Sequence, residues 1–537
     1  MKSVLIANRG EIAIRIARAA AELGLRTVAV YAEDDARALH VRVCDEAAAL
    51  SGEGAGAYLD IAQIVAEAKK MGCDAIHPGY GFLSENAAFA EACAKEGIAF
   101  VGPSPEALSL FGDKAAARAL AEKEGVPLFP GTKGAASLEE ARAFLEAQGD
   151  GGAIMLKALA GGGGRGMRAV TDAGDLAEAY ERCRSEAKAA FGNDAVYAEK
   201  LIRKARHIEI QIVGDGATII DLGERECTLQ RRNQKLVEIA PSPSLDPALR
   251  EALCAAARKL AGAASYKGLG TFEFLIDAEA KDPLKSFAFM EANPRLQVEH
   301  TVTEEVTGID LVKTQLRIAA GASLDEVGLS APPAPRGYAV QLRINMEKMT
   351  ETGEAMPAGG TLSAFAPPSG PGIRVDTFGY AGYRTSPHYD SLLAKLIAYS
   401  PAPNYSEALG RAYRALGEFQ IEGVATNKAF LQNLLARAEV KANDVYTGFI
   451  ADHAAELVRE AEHRALYFTA NENGAAAHAV HAVEGPAGTE PVSSSMQGKV
   501  ISIDVAEGEH IAKGQQIAVL EAMKMEHTVK APISGTV

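Results

Sequence analysis

The sequence predicts a multidomain α/β protein whose chain ends in a small all-β segment. Three observations carry that reading: strand and helix patterns alternate at the N-terminus, strand-like runs come in pairs from about residue 204, and two similar motifs stand 37 residues apart at the C-terminus. At 537 residues the chain is too long for a single hydrophobic core.

Taken in order, "SVLIAN" is an apolar run, "EIAIRIARAAAEL" has helical spacing and "RTVAVY" is again strand-like. In "DAIHPGYGFLSEN", Pro78, Gly79 and Gly81 mark a tight loop at a strand end. This βαβ pattern implies a parallel sheet flanked by helices over residues 1–112. No G-x-G-x-x-G follows the first strand, so a dinucleotide fold is not indicated. Residues 113–203 contain "AIMLKALAGGGGRGMRAV", two strand-like runs around a glycine loop, which reads as a hairpin. Residues 204–450 pair "RHIEIQIVG" with "ATIIDLGE" and "GTFEFLID" with "SFAFMEANP". A helix and an Ala/Gly/Ser/Pro-rich stretch at 451–492 have the composition of a mobile linker. In the last segment, 493–537, "SMQGKV" and "PISGTV" place Gly498 and Gly535 at equivalent positions. Strands and glycine turns follow the first copy and nothing follows the second. A half-made barrel leaves open strand edges, so the expectation is a truncated barrel in a polypeptide that continues.

Lys and Arg total 55 against 70 Asp and Glu, a net charge of −15. That balance disfavours nucleic acid as a partner and requires local basic groups wherever a phosphate is held. No apolar run approaches the ~20 residues of a membrane span, and "MKSVLIANRG" lacks the features of a signal peptide. Six cysteines without a C-x-x-C pair argue against a zinc site or a disulfide framework. The expectation is a cytoplasmic protein.

Gly161, Gly162, Gly163, Gly164 and Gly166, with Lys157 before them and Arg165 among them, read as a backbone lid that turns N–H groups toward phosphates. Strand alternation sets Glu273 opposite Phe272 and Phe274, and Glu291 and Asn293 lie near the end of the partner strand. Two carboxylates and an amide oxygen are the hard ligands of Mg²⁺ that also binds phosphate. Arg295, Gln297 and Glu299 recur at alternate positions, suited to present a guanidinium, an amide and a base from one extended stretch. Arg231, Arg232 and Lys235 crowd into five residues, Arg343 sits alone in a strand-like run, and Cys227 reads as structural. Histidines 207, 300 and 388 show no metal-ligand spacing.

In order, "ANRGEIAIRI", "HPGYGFLSEN", "GGGGRGM", "QRRNQK", "GTFEFL", "EANPRLQVEH" and "YDSLLAKLI" resemble the biotin carboxylase component of biotin-dependent carboxylases, and "EAMKM" resembles the biotinyl attachment motif. The resemblance covers residues 1 to about 450 and again about 493 to 537. It implies an ATP-grasp fold in which ATP lies between the glycine lid and the third segment. Lys114, Lys157, Lys200, His207 and Gln230 then match nucleotide- and cofactor-site positions, and Glu199 and Leu201 lie at the adenine edge. Glu273 and Glu291, with Asn293, match the ligands of Mg²⁺ or Mn²⁺. Lys235, Arg295, Gln297 and Val298 match the bicarbonate pocket, Glu299 the general base, and Arg343 the cation that stabilises the biotin enolate. Lys524 becomes the site of covalent biotin. The resemblance further implies a biotin protein ligase, a carboxyltransferase domain or subunit, an acyl-CoA acceptor and a homo-oligomer, with pyruvate or urea as alternative acceptors.

The sequence departs from the family pattern at three places. Asn233 stands where many relatives have His, "YAVQLRINME" replaces the commoner "ECRINAE" around Arg343, and "SMQG" replaces Met-Pro-Gly before the biotinyl strands.

Overall fold

The computed structural model describes residues 1–149, 152–159, 166–350, 354–459, 463–469, 485–494, 499–522 and 525–537. The chain forms two units, Met1–Tyr467 and Phe468–Val537.

The first unit opens with a parallel sheet of β1 (Ser3–Ile6), β2 (Arg26–Tyr31), β3 (Glu46–Ala49), β4 (Ala75–His77) and β5 (Ala99–Phe100), in the order β3-β2-β1-β4-β5. Val4 and Ile6 point into one core and Leu5 into another, so both faces of β1 are covered. That explains its uninterrupted apolar run. After β4, Asn8 donates through Nδ2 to the carbonyls of Pro78 (2.6 Å) and Tyr80 (2.8 Å) and pins the loop. Gly79 has φ +64°, and a Cβ there would lie 2.8 Å from Asn8 Nδ2, so only glycine fits.

A three-stranded antiparallel sheet follows, with β6 (Ile154–Ala158) between β7 (Met167–Val170) and β8 (Val196–Lys200). The expected hairpin is β6–β7, paired to Lys157↔Met167. Gly162, Gly163 and Gly164 lie outside the described residues.

The largest sheet is antiparallel and runs in the order β13-β12-β9-β10-β11-β14-β19-β18. It comprises β9 (Ala205–Asp215), β10 (Ile219–Arg231), β11 (Gln234–Ala240), β12 (Lys267–Asp277), β13 (Phe287–Asn293), β14 (Tyr338–Asn345), β18 (Ile373–Thr377) and β19 (Leu392–Ser400). Short ribbons β15 (Glu347–Met349)–β16 (Ala355–Pro357) and β17 (Ala364–Ala366)–β20 (Gln420–Glu422) flank it. Alternation decides what each face of the large sheet does. Ile208, Ile210, Ile212, Phe272 and Phe274 pack in one core with Leu249, Leu253 and Leu260 of the helix Pro247–Ala263. Asp246 caps that helix by accepting from the N–H groups of Ala248 and Leu249, and Pro247 begins it. The opposite face of the same strands carries His207, Glu209, Gln211, Thr271 and Glu273. A second core under β14 and β19 takes Leu342, Leu396 and Ala398 together with the helix Tyr405–Glu418.

In the second unit, β21 (Lys499–Ile503), β23 (Gln516–Ala522) and β24 (Met525–Lys530) form one sheet, and β22 (His510–Ile511) pairs with β25 (Gly535–Thr536). β23 and β24 pair antiparallel from Gln516↔Lys530 to Ala522↔Met525. Lys524 itself lies outside the described residues. Among the described residues no helix is long and apolar enough to cross a membrane.

Phe274 is fully buried, with its ring 5.9 Å from those of both Phe287 and Phe289. Phe274→Ala should therefore lower the unfolding free energy by about 3–5 kcal/mol, read as a shifted urea midpoint of the large-sheet transition. An unshifted midpoint would show that this core does not support the polar face above it.

Candidate active site

A row of cross-strand neighbours runs over the polar face of the large sheet. Glu291 on β13 pairs with Glu273 on β12, Glu273 with Glu209 on β9, and Glu209 with Arg225 on β10. Three carboxylates side by side repel one another, so the row persists only with cations between them. Lys235, from the start of β11, supplies the central one. Its Nζ donates to Glu209 (2.5 Å), Glu273 (2.9 Å) and Glu299 (2.7 Å). Arg225, fully buried, donates from Nε to Glu209 at 2.5 Å, His207 Nε2 lies 2.6 Å from Glu273, and Lys114 Nζ lies 3.1 Å from Glu291. Lys114 is fixed as the first residue of the helix Lys114–Lys123, because Asp113 accepts from the next two N–H groups.

These groups set one another's protonation. Burial opposes charge on Lys235, but Glu209, Glu273 and Glu299 outweigh it and hold the ammonium well above its usual range. Burial likewise pushes Glu299 upward, yet Lys235, Arg343 and Arg225 prevail and keep it well below the usual carboxylate range. Glu273 is depressed in the same way, against its burial, by Lys235 and His207. Glu299 is therefore an anionic, fully buried carboxylate at neutral pH. Cys227, whose Sγ is 4.0 Å from Glu299, has its thiol pushed well above the ordinary value, chiefly by burial.

The segment after β13 differs from the single extended stretch expected of it. His300 N–H donates to Gln297 O at 3.3 Å, and Glu299 (φ −86°, ψ 9°) turns directly into the helix His300–Thr307. The helix start overrides strand alternation, yet the side chains still converge. Arg295 donates to Gln297 Oε1 (2.8 Å), Asn293 Oδ1 (3.1 Å) and Glu85 (2.5 Å), and Gln297 Nε2 and Asn293 Nδ2 both donate to Glu273 Oε1. The Val298 carbonyl accepts from Nζ of Lys395, which is fully buried and also lies 3.0 Å from Glu11. Arg343 donates to Glu299 Oε2 (3.1 Å) and to Glu238 (2.5 Å).

Two of the departures from the family pattern have a local account. Gln341, cross-strand from Glu238, donates to its Oε2 at 3.0 Å, so the amide and Arg343 share one buried carboxylate. Arg232 and Asn233 form the two-residue β10–β11 turn with φ 48° and 63°. Positive φ at both central positions is the geometry of a tight hairpin turn, which Asn tolerates well. The third departure, Ser495 to Gly498, lies outside the described residues.

These side chains surround one cavity of about 490 Å³. Lys114, Lys157, Glu199, Lys200, Leu201, His207, Gln230, Lys235, Glu273, Glu291, Asn293, Arg295, Gln297, Val298, Glu299 and Arg343 all line it. Met155, Met167, Ile202 and Met290 add apolar wall. At its far side Lys157 is paired with Glu199, which also meets Arg118. The Leu201 N–H donates to Ala153 O and the Lys200 N–H to Pro130 O. Sequence reasoning missed Glu209, Arg225, Glu238, Lys395, Glu85 and Arg118. Glu209 had a usable signal, because "HIEIQI" alternates charged or amide side chains with isoleucines in a core strand.

A cavity rimmed by lysines and leading to paired carboxylates and the buried Glu299 has the groups to hold a polyphosphate and a hard cation, as an ATP-using enzyme requires. Families described as "Biotin carboxylase, N-terminal domain", "Carbamoyl-phosphate synthase L chain, ATP binding domain", "Biotin carboxylase C-terminal domain" and "Biotin-requiring enzyme" match residues 1–108, 113–327, 341–452 and 490–537. The biotin carboxylase of a Nostoc species is 47% identical over 456 residues, spanning 84% of this chain and 98% of that protein. Human mitochondrial pyruvate carboxylase is 48% identical over 474 residues, but this chain spans only 39% of its length. Among solved structures, the biotin carboxylase domain of a single-chain bacterial carboxylase matches 85% of this chain at 51% identity and covers 98% of that domain (TM-score 0.76). The Hydrogenobacter thermophilus 2-oxoglutarate carboxylase domain, solved with MgADP, ADP and bicarbonate, matches 86% of this chain and 99% of its own at 40% identity (TM-score 0.79). A single-chain, multi-domain long-chain acyl-CoA carboxylase matches 99% of this chain and 48% of its own at 43% identity (TM-score 0.75). The chain belongs to the biotin carboxylases and carries, besides the ATP-grasp enzyme, a biotin-lipoyl domain: it is part of a biotin-dependent carboxylase.

Glu299→Gln keeps the size of the side chain but removes the buried anion and one of the two oxygens that accept from Lys235 and Arg343. It should lower bicarbonate-dependent ATP cleavage by about 10²–10⁴-fold, the usual weight of a general base, with ATP affinity within threefold of the unaltered chain. Undiminished turnover would reject Glu299 as the base.

Proposed function

We propose that this chain carries out the ATP- and bicarbonate-dependent carboxylation of biotin borne on Lys524, the first half-reaction of an acyl-CoA carboxylase. The observation that carries the half-reaction is the buried Glu299 carboxylate held between Lys235 and Arg343 beside a lysine-rimmed cavity.

In this reading Lys114 and Lys157 meet the phosphates, and Lys200, Leu201, His207 and Gln230 complete the nucleotide wall. Glu273 and Glu291 would hold Mg²⁺ or Mn²⁺ with Asn293 beside them. Their hard oxygen donors, one on each of two paired strands, fit such an ion, which when bound neutralises charge on the phosphates. Lys235, Arg295, Gln297 and Val298 hold bicarbonate. Glu299 takes its proton, leaving an oxyanion to attack the γ-phosphate. Transfer of this kind depends on positioning and charge neutralisation more than on covalent protein chemistry. Arg343, fixed by Glu238, presents a permanent cation where negative charge would develop on the ureido group of biotin. The partners proposed are a biotin protein ligase, a carboxyltransferase and a second copy of the chain.

The acyl-CoA acceptor rests on extent of similarity. The match to the long-chain acyl-CoA carboxylase spans 99% of this chain and so must include the biotinyl segment, whereas the matches to pyruvate carboxylases span 84–87%. Pyruvate is the second reading, favoured by how many of the curated relatives carry that name.

Two measurements test this function. Lys524→Arg should abolish avidin capture of the protein after incubation with biotin ligase, ATP and biotin, and retained capture would contradict the attachment site. Together with its carboxyltransferase, the chain should carboxylate acyl-CoA thioesters with ¹⁴C-bicarbonate at least tenfold faster than pyruvate. The reverse order would replace the acceptor and leave the half-reaction intact.

A further inference from the structure

Lys157 and Glu199 are diagonal neighbours on one face of the β6–β8 pair. Lys157 stands opposite Tyr197, and Glu199 lies two residues further along. Lys157 Nζ is bound to Glu199 Oε1, and both side chains are buried, at 5% and 7% exposure. The other oxygen, Oε2, accepts from Arg118 Nη1 at 3.3 Å. Arg118 is held in place independently. Its Nη2 reaches the Phe129 carbonyl at 3.4 Å, its guanidinium lies 5.5 Å from the centre of the Tyr197 ring, and its helix is capped by Asp113.

This arrangement raises a problem for nucleotide binding. If Lys157 meets a phosphate, as the proposed function holds, its ammonium must leave Glu199. A carboxylate left buried without a partner is strongly destabilised, and that penalty would fall on ATP affinity. A lysine on its flexible stem reorients readily, whereas an arginine presents a planar fork that stays in register. Arg118 is the group already placed on the oxygen that Lys157 does not use.

We propose that Arg118 is a positioning residue of the nucleotide site: it retains the Glu199 carboxylate when Lys157 turns from it to a phosphate of ATP. The inference rests on the assignment of Lys157 to a phosphate and concerns binding rather than the chemical step.

The test compares Arg118→Met, Arg118→Lys and Lys157→Met in the full chain, with ATP cleavage measured against ATP and against bicarbonate, ADP binding measured by calorimetry, and thermal melts. The proposal expects Arg118→Met to raise KM for ATP about tenfold, with kcat at saturating ATP and KM for bicarbonate within twofold of the unaltered chain. Arg118→Lys should recover most of that loss, and Lys157→Met should weaken ATP binding more than ADP binding. If Lys157→Met weakens ATP binding while Arg118→Met leaves KM for ATP unchanged, the hand-off is wrong. Should Arg118→Met instead raise both KM values equally and lower the melting temperature without rescue by lysine, Arg118 is only structural and the proposal falls. If Arg118→Met does not fold, Arg118→Gln is read in its place: a KM for ATP raised at least fivefold with KM for bicarbonate within twofold upholds the proposal, and an unchanged KM for ATP overturns it. Lys157→Met with unaltered ATP affinity overturns the phosphate assignment, and the hand-off with it.

Discussion

The site depends on one ammonium group. Lys235 Nζ lies within 2.9 Å of oxygens from Glu209, Glu273 and Glu299, carboxylates that come from two neighbouring strands and from a helix start. Without it, Glu209 would stand with an oxygen within 4.8 Å of those on Glu273 and Glu299, a crowding of buried anions that the low-dielectric interior strongly disfavours. With it, Glu299 stays ionised although fully buried. Around this centre each carboxylate has a second partner: Arg225 for Glu209, His207 for Glu273 and Arg343 for Glu299.

The same logic divides the cavity into two halves. On the side of the β6–β8 sheet, Lys114 and Lys157 are paired with Glu291 and Glu199, one acid each. On the sheet side, Arg343, Lys235 and Glu238 are locked by several bonds each and form a fixed electrostatic frame. Both halves are lined by residues of the first unit.

Much of this was legible in the sequence because alternation is a local property. The Phe-Glu-Phe of β12 and the strand–glycine–strand pattern of residues 154–170 are visible by pattern alone, and the described residues that the family resemblance singled out, from Lys114 to Arg343, line one cavity. What stayed hidden was cross-strand register. Glu209, Glu238 and Arg225 acquire their importance from the residues beside them on neighbouring strands, and nothing in "IEIQIV" or "LVEIA" says which strand lies alongside. Lys395 is a stronger case. It sits in "LLAKLIAYS" like any strand lysine, yet it is fully buried and holds the Val298 carbonyl 97 positions earlier in the chain. The turn at Glu299 was misjudged because the helix that starts at His300 takes over from strand alternation, which ends with β13 at Asn293.

The most direct test of the account is ATP cleavage by this chain with Mg²⁺, measured with and without bicarbonate and with and without free biotin. The account predicts cleavage that requires bicarbonate and rises with biotin. Cleavage indifferent to bicarbonate would contradict it, because a base buried between Lys235 and Arg343 would then have no acid to activate.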